Sequence, residues 1–419
     1  MKIIVVEPLA HLIGHYPVEA RRLAQAMIEQ GHEVSVVTSF GFRAVPGLED
    51  IEPGRQARVA DDGRIWQRLV LGLARPIWFR SGGGRLTAFA QAVLTWFALG
   101  MADRVGKHQG ADAVLLVSGS FFAFLAHASS PRNVVICFVL RYMPRAVGAD
   151  GRTLFRHRLQ NFLVERGLGA NPGNLCFTHI GAGISDTFRR TGFAADSHEV
   201  VPIGIGHHAT LMGRDTARQG LGLAPNGPLL LVFGSGHPGK NFRAIFEALP
   251  KTDPAVKILF AGKRAAGNDP LGLAGDHGLE DRVVVVDAFI PESDLEAYFR
   301  AADGLLMSYS PDFLVHSGVL ALAAEFDLPV IASDVGEIGK TVREWTLGVT
   351  FEPENPDALA RAIGAFLDLD GHKRAKLTAN LGKFRAARSW ASVANAYVGV
   401  FEQARDRRRK FGSPEPRGY

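Results

Sequence analysis

Short uninterrupted apolar runs, each followed by a segment of helical period, recur along this chain from its second residue. Lys2–Val6 is the first, the pattern of a strand buried on both faces of a parallel sheet. A loop from Glu7 to Pro17 leads into a helix predicted over Val18–Gln30, with Ala20, Leu23, Ala24, Met27 and Ile28 on one stripe. Gly31 stands at the C-cap position and Glu33–Thr38 reads as the next strand. Such a strand–helix–strand unit is right-handed. Further strands are predicted at Ala113–Val117, Val134–Val139 and Leu175–His179, with a helix over Leu86–Lys107 before them and a strand end at Val200–Gly206.

A second series of the same kind follows a polar, Gly-rich stretch. Its predicted strands are Leu229–Phe233, Val256–Ala261, Val283–Val286, Gly304–Met307 and Val330–Ala332. Its helices are Asn241–Leu249, Glu292–Ala302, Ser317–Phe326 and Pro356–Leu367. The expectation is an α/β protein of two Rossmann-like domains facing a cleft, since ligands of open parallel sheets bind at the strands' carboxyl ends. The boundaries read as 1–205, a linker over 206–225 that includes His207-His208, 226–388, a closing helix over 389–408 and a basic tail over 409–419. The tail, with Arg405–Tyr419 basic and rich in Pro and Gly, is expected to be disordered.

A length of 419 residues suits two domains with full cores. A net charge of +5 spread over this length does not by itself imply nucleic acid. Two cysteines, Cys137 and Cys176, sit in apolar runs and read as buried hydrophobes of a reducing compartment. The N-terminus reads as a folded strand rather than a signal peptide, and Leu86–Ala102 is shorter than a bilayer span. The expected location is cytoplasmic, with a place at the inner face of the membrane. Arg75–Arg80 and Arg85 beside the apolar helix would suit an anionic surface, while a helix this apolar is also ordinary core.

Two segments carry chemistry. Gly234–Gly239, GSGHPG, matches G-x-G-x-x-G between a strand and a helix. It suits a dinucleotide, but the next strand ends in Ala261-Gly262-Lys263-Arg264, with no acid for a ribose diol, which leaves NADP as the dinucleotide. In either case Gly234, Gly236 and Gly239 make a turn whose amides and helix dipole favour a phosphate. Lys240 ends the loop with an ammonium suited to a diphosphate, or is a surface lysine at a helix start, where a cation opposes the dipole. The second segment is SYSPDFLVHSGVL, in which Ser317-Gly318 opens a helix as a simple cap or as an anion site.

These pieces, in order, resemble the donor-binding half of a retaining glycosyltransferase of GT-B fold, of the glycogen-synthase-like group (family 4). They are the Gly234-to-Lys240 loop, VKILFAGK, VVVVDAFIPESDLEAYFRAADGLLMSYS, LPVIASDVGEIG, GVTFEPENPDALARAI and Ser389-Trp390 before a helix that in this family crosses back to the first domain. GHYPVEARRLAQAMIEQGHEVSVVTS resembles the family's opening. The departures are specific. Ser235 stands where the family commonly has Arg, Leu314 and Leu322 where it has two glutamates, Ile203-Gly204 for Asn-Gly, and Arg141 for a His near the reactive carbon.

The resemblance implies transfer of a sugar from a nucleotide-diphosphate sugar to a glycan or lipid-linked saccharide, in cell-envelope or exopolysaccharide synthesis. It implies retention, and no metal or other cofactor. Charge on the departing diphosphate would fall to Lys240 and to amides of Gly236, His237, Gly239 and Ser317–Val319. Donor contacts would add Ser235, His316, Gly318 and Val319, with Phe289 and Ile290 at the base. Glu337, in the turn Gly336–Ile338, would hold a sugar hydroxyl or be a solvated turn glutamate. On the acceptor side, His11, Gly14 and His15 share the first loop. His15 is the favoured proton carrier, against a loop histidine that meets only water. Arg141 would clamp an acceptor phosphate or carboxylate, or be a surface arginine. Two rival classes stand beside this one: a non-catalytic sugar-nucleotide binder or partner subunit, which the missing glutamates and Arg favour, and an NADP-dependent oxidoreductase built on GSGHPG.

Overall fold

The computed structural model describes residues 1–9, 15–38, 85–141, 155–182, 198–207, 212–237, 239–265, 267–313 and 316–411. The chain divides into two compact units, Met1–Gly204 with Trp390–Tyr419, and Ile205–Ser389.

In the first unit β1 (Lys2–Glu7), α1 (His15–Glu29), β2 (Glu33–Thr38), α2 (Arg85–Gln109), β3 (Ala113–Leu116), α3 (Phe121–Ala128), β4 (Val135–Leu140), α4 (Phe155–Ala170), β5 (Leu175–His179) and β6 (His198–Val200) follow one another. The strands form one parallel sheet in the order β2-β1-β3-β4-β5-β6. β1 and β2 are buried from their second residue on, and β3, β4 and β5 throughout, as their continuous apolar runs require. Cys137 and Cys176 are register partners on β4 and β5, buried and free.

The second unit runs α5 (Arg214–Gly220), β7 (Leu229–Phe233), α6 (Phe242–Ala248), β8 (Lys257–Ala261), α7 (Pro270–His277), β9 (Val283–Val286), α8 (Leu295–Ala301), β10 (Gly304–Met307), α9 (Gly318–Glu325), β11 (Val330–Ser333), α10 (Gly336–Trp345), β12 (Gly348–Phe351), α11 (Pro356–Leu367) and α12 (Gly371–Ala387). Its parallel sheet is ordered β12-β11-β10-β7-β8-β9. Successive β7 residues alternate between two cores: Leu229 and Leu231 pack with α8, α9 and α10, and Leu230 and Val232 with α6 and α11. In each sheet the chain leaves its first strand toward one edge and returns on that strand's other side. The crevices so formed lie between β1 and β3, and between β7 and β10.

Several expectations are corrected. The strand end expected over Val200–Gly206 falls at its first residue, since β6 runs His198–Val200. The supposed linker contains α5, packed on α8. Its sequence RDTARQG looks solvated, yet Arg218 is 1% exposed. The Arg218 guanidinium donates to the carbonyls of Ala301 and Gly227 and to Asp303 Oδ2, at 2.9, 3.0 and 3.2 Å. Gly336–Ile338 is no turn but the opening of α10. The last helix, α13 (Trp390–Phe411), runs past Arg405 into the expected tail. It belongs to the first unit, where it packs on α1, β4 and β5. Arg408 holds it by donating to Asn133 O at 2.6 Å and Asn133 Oδ1 at 3.1 Å. Among the described residues no helix is long and apolar enough to cross a membrane.

Candidate functional site

The loop after β7 is held by backbone contacts that only glycine permits. Gly234 has φ +87° and Gly262, just past β8, has φ +151°. A Cβ on Gly262 would run into the Gly234 backbone, so the two turns meet main chain to main chain. The Gly236 amide donates to Lys263 O at 2.8 Å. Asn268, 6% exposed, is the loop's anchor. Its Nδ2 reaches the carbonyls of Gly236, His237 and Lys240 at 3.4, 3.2 and 2.6 Å, while its Oδ1 accepts from Phe242 N at 3.2 Å.

Lys240 is not a surface lysine. It is 9% exposed, and its Nζ turns back to donate to Phe233 O at 2.5 Å. Burial lowers its pKa from about 10.5 to about 8, so it is still charged at neutral pH. A Cβ on Gly234 would lie 3.1 Å from that Nζ and 3.8 Å from Val319 Cγ2. The ammonium, the Gly234 turn and the first turn of α9 therefore share one small region at the β7–β10 crevice.

The segment after β10 fixes this arrangement. Ser308 and Asn241 exchange hydrogen bonds at 2.9 Å, Ser310 N donates to Gly239 O at 3.0 Å, and Tyr309 N donates to Ser333 Oγ at 2.8 Å. The Tyr309 hydroxyl lies 3.0 Å from Ser317 Oγ, and burial pushes its pKa up to about 12. Ser317 caps α9 by accepting from Val319 N at 3.3 Å. A Cβ on Gly318 would meet nothing within 4 Å, so there is room beside the first residue of α9.

One expectation about amides fails here. Those of Gly236, His237 and Gly239 do not point outward together: they donate to Lys263 O, Ser235 O and His237 Nδ1 at 2.8, 2.8 and 3.0 Å. The anion-attracting character thus rests on the Lys240 ammonium and the α9 terminus.

His316 Nε2 and Glu337 Oε2 are 3.6 Å apart, both side chains buried. Burial, with Arg388 and Lys340 nearby, lowers the His316 pKa to about 4 and keeps the ring neutral. Arg388 packs over the Phe384 ring at 4.5 Å and attracts Glu337. Glu337 is therefore a buried partner in a charged cluster, not a solvated turn residue. Phe289 is 49% exposed and Ile290 buried, beyond β9.

In the first unit Arg141 is buried, not at the surface. It donates to Glu19 Oε1 at 2.6 Å and to Val117 O at 3.0 Å. His15 opens α1, with its side chain outside the described residues; His11, Gly14, His208, Leu314 and 75–80 also lie outside them. Asn268, Tyr309 and Arg388 were not anticipated from the sequence. Only Tyr309, inside the SYSPD segment, had a signal. Arg264, which an NADP phosphate would need, is tied to Asp287 at 2.9 Å and to Asp269 at 3.2 Å. Among the described residues no three His, Cys, Asp or Glu side chains cluster as metal ligands would.

Residues 227–368 match the family model described as Glycosyl transferases group 1. D-inositol 3-phosphate glycosyltransferase of Streptomyces griseus is 30% identical over 58% of this chain and 51% of that protein. The Streptomyces scabiei enzyme of the same name is 29% identical over 93% of this chain and 86% of its own. The matches to the relatives from Xylanimonas cellulosilytica and Streptomyces griseus span about half the length of those proteins. Among solved structures, sucrose-phosphate synthase from Thermosynechococcus elongatus superposes with TM-score 0.68 at 17% identity, covering 97% of this chain and 99% of that one. Anabaena HepE in complex with UDP and glucose gives 0.63 at 15%, covering 96% and 99%. The chain thus has the two-sheet GT-B fold of these structures, and its residues 227–368 are similar to the group 1 glycosyl transferases.

Proposed function

We propose that the chain is a glycosyltransferase that takes a sugar from a nucleotide-diphosphate sugar and passes it to a hydroxyl of a glycan or lipid-linked saccharide. The observation that carries this is the convergence of the buried Lys240 ammonium, the Gly234 turn and the α9 N-terminus at the β7–β10 crevice. As the bond from the sugar's anomeric carbon to the β-phosphate oxygen breaks, negative charge gathers on the diphosphate. A desolvated ammonium and a helix N-terminus stabilise that charge more strongly than water-exposed groups would. These groups suffice for leaving-group stabilisation without a metal, and the resemblance to family 4 supports retention. His316 and Glu337, 3.6 Å apart, would meet sugar hydroxyls.

The names of the relatives make a polyol phosphate an acceptor to test beside glycans. Phe89, Trp96 and Phe162, each more than half exposed on α2 and α4, support a peripheral place at the inner membrane face, and with it a role in envelope polysaccharide synthesis. A second reading, a sugar-nucleotide binder without activity, is favoured by Leu322, which packs against the core where the family has a glutamate.

The test is a thermal-shift screen with UDP, GDP, ADP, TDP and NADP(H), followed by transfer assays with the responding nucleotide's sugars. A rise with one nucleoside diphosphate, with turnover, supports the transferase. Binding without turnover supports the second reading, and a rise with NADP(H) alone overturns both.

A further inference from the structure

A cavity of about 540 Å3 opens to solvent beside α6, wholly within the second unit. Its wall takes Arg243 and Glu247 from α6, Leu273 from α7, and Asn268, Ser310 and Glu354 from the loops after β8, β10 and β12. The volume falls within the roughly 300–1,000 Å3 of small-molecule sites. It adjoins the donor loop without being the donor site. Lys240 touches both, but its Nζ turns away to Phe233 O, and the Gly234 turn, the α9 terminus, His316 and Glu337 form no part of the wall.

Two observations set this cavity apart from an ordinary surface hollow. Glu354 has φ +56°, in the turn after Pro353, a backbone state that suits Gly or Asn. Two other described residues besides glycines share a positive φ. Thr346 closes α10, and Asp327 is held by Arg385 at 2.6 Å. Glu354 ends no helix, and among the described residues its carboxylate has no partner, so the strain serves only to set that carboxylate at the cavity. The Arg243 and Glu247 side chains likewise make no hydrogen bond or ion pair with the described residues. Three charged groups thus meet at one opening without pairing with one another.

Their chemistry selects the ligand. A phosphate drawn to Arg243 would meet two carboxylates, Glu247 and Glu354. A flat base would find no aromatic ring in the wall, and a metal ion no third ligand among the described residues. A hydroxyl both donates and accepts: it can donate to either carboxylate and accept from the guanidinium, with Ser310 serving in both senses. Many hydroxyls on one small frame describe a sugar, and the volume leaves room for two rings.

We propose that this cavity is a second saccharide site, for a neutral disaccharide or the end of a glycan, and that its occupant tightens donor binding. The coupling, though not the site, rests on the donor reading above. It runs through Asn268, whose Nδ2 holds the carbonyls of Gly236, His237 and Lys240, and through Ser310, whose N holds Gly239 O at 3.0 Å. A ligand against both residues braces the loop that carries Lys240, and the effect is reciprocal.

The experiment titrates the full chain with maltose, cellobiose, lactose, sucrose and trehalose by saturation-transfer NMR, with and without the nucleoside diphosphate that binds best among UDP, GDP, ADP and TDP. At least one disaccharide should bind, and Arg243→Ala and Glu354→Gly should each weaken it about ten-fold. Glu354→Gly relieves the turn, so it should melt at or above the wild-type temperature, which separates lost binding from lost folding. The saturating disaccharide should tighten the nucleotide about five-fold, and the nucleotide should tighten the disaccharide by the same factor. A wild type that binds none of the five overturns the proposal, as does a disaccharide bound equally by wild type and both variants. Nucleotide affinity unchanged by saturating disaccharide overturns the coupling. A chain that binds disaccharide through Arg243 and Glu354 but binds no nucleotide overturns the donor reading and the coupling with it, and supports the site.

Discussion

Lys240 makes a prediction in which stability and binding move in opposite directions. Its ammonium is removed from water and, among the described residues, donates to one neutral carbonyl, Phe233 O, at 2.5 Å. Lowering a lysine from about 10.5 to about 8 means that keeping it charged in the folded chain costs roughly 3 kcal/mol at neutral pH. Replacing it by Met removes that cost and leaves Phe233 O without its donor, a loss of about 1–3 kcal/mol. Lys240→Met should therefore melt at the wild-type temperature or up to about 8 °C higher at pH 7, given roughly 2–4 °C per kcal/mol for a unit of this size. The same variant should bind the cognate nucleoside diphosphate at least about ten-fold more weakly, through loss of a charge-assisted contact.

The pH dependence supplies an internal control. Between about pH 8 and 10.5 the unfolded chain holds a proton on Lys240 that the folded chain has released, so wild-type stability should rise through this window relative to the Met variant. Nucleotide affinity should fall over the same window as the ammonium is lost. Scanning calorimetry and titration calorimetry from pH 7 to 10 measure both. A Met variant more than about 2 kcal/mol less stable than the wild type, or one that binds nucleotide normally, would refute the assignment of Lys240 as a desolvated phosphate ligand.

Other residues give further predictions. Asn268→Ala should destabilise the second unit by about 2 kcal/mol and weaken donor binding through the loop it anchors, while Asn268→Asp, turning a carboxylate oxygen toward three carbonyls, should be worse; denaturant melts and nucleotide titrations check this. Gly262→Ala should cost at least about 2 kcal/mol, because φ +151° and the Gly234 backbone both oppose a side chain, and nucleotide response should drop with it. His316 should titrate near pH 4 by NMR, and since the unfolded ring binds its proton near 6.5, wild-type stability should fall from pH 6.5 to 4 more than that of His316→Gln. Arg218→Lys, one ammonium in place of a fork reaching the carbonyls of Ala301, Ala224, Pro225 and Gly227 and Asp303, should destabilise by about 2–4 kcal/mol in urea melts.

The fold was legible because parallel strands buried on both faces leave a local mark. LLLVF and EVSVVT declare themselves whatever the rest of the chain does. Among the elements missed were α5 and α7, short helices without an apolar stripe, whose burial depends on partners distant in sequence. The donor loop's glycines showed in their spacing, but the destination of its amides did not. That is decided by Lys263 O, contributed by the next strand's loop. His316 and Glu337 meet only through α10, and no spacing rule joins residues on successive strand–helix units.

The position of α13 sets an order on biogenesis. The second unit is one continuous stretch, Ile205–Ser389, and has all its strands once that stretch has left the ribosome. The first unit is translated earlier, yet lacks the helix that packs on α1, β4 and β5 until residues 390–411 emerge. The usual N-terminal-first order of domain folding is therefore inverted at completion. Until α13 has emerged, the first unit's sheet exposes the apolar surface against which Val393, Ala394, Tyr397 and Phe401 become buried. A nascent chain stalled just past Ser389 should thus carry a native second unit joined to a chaperone-dependent first one.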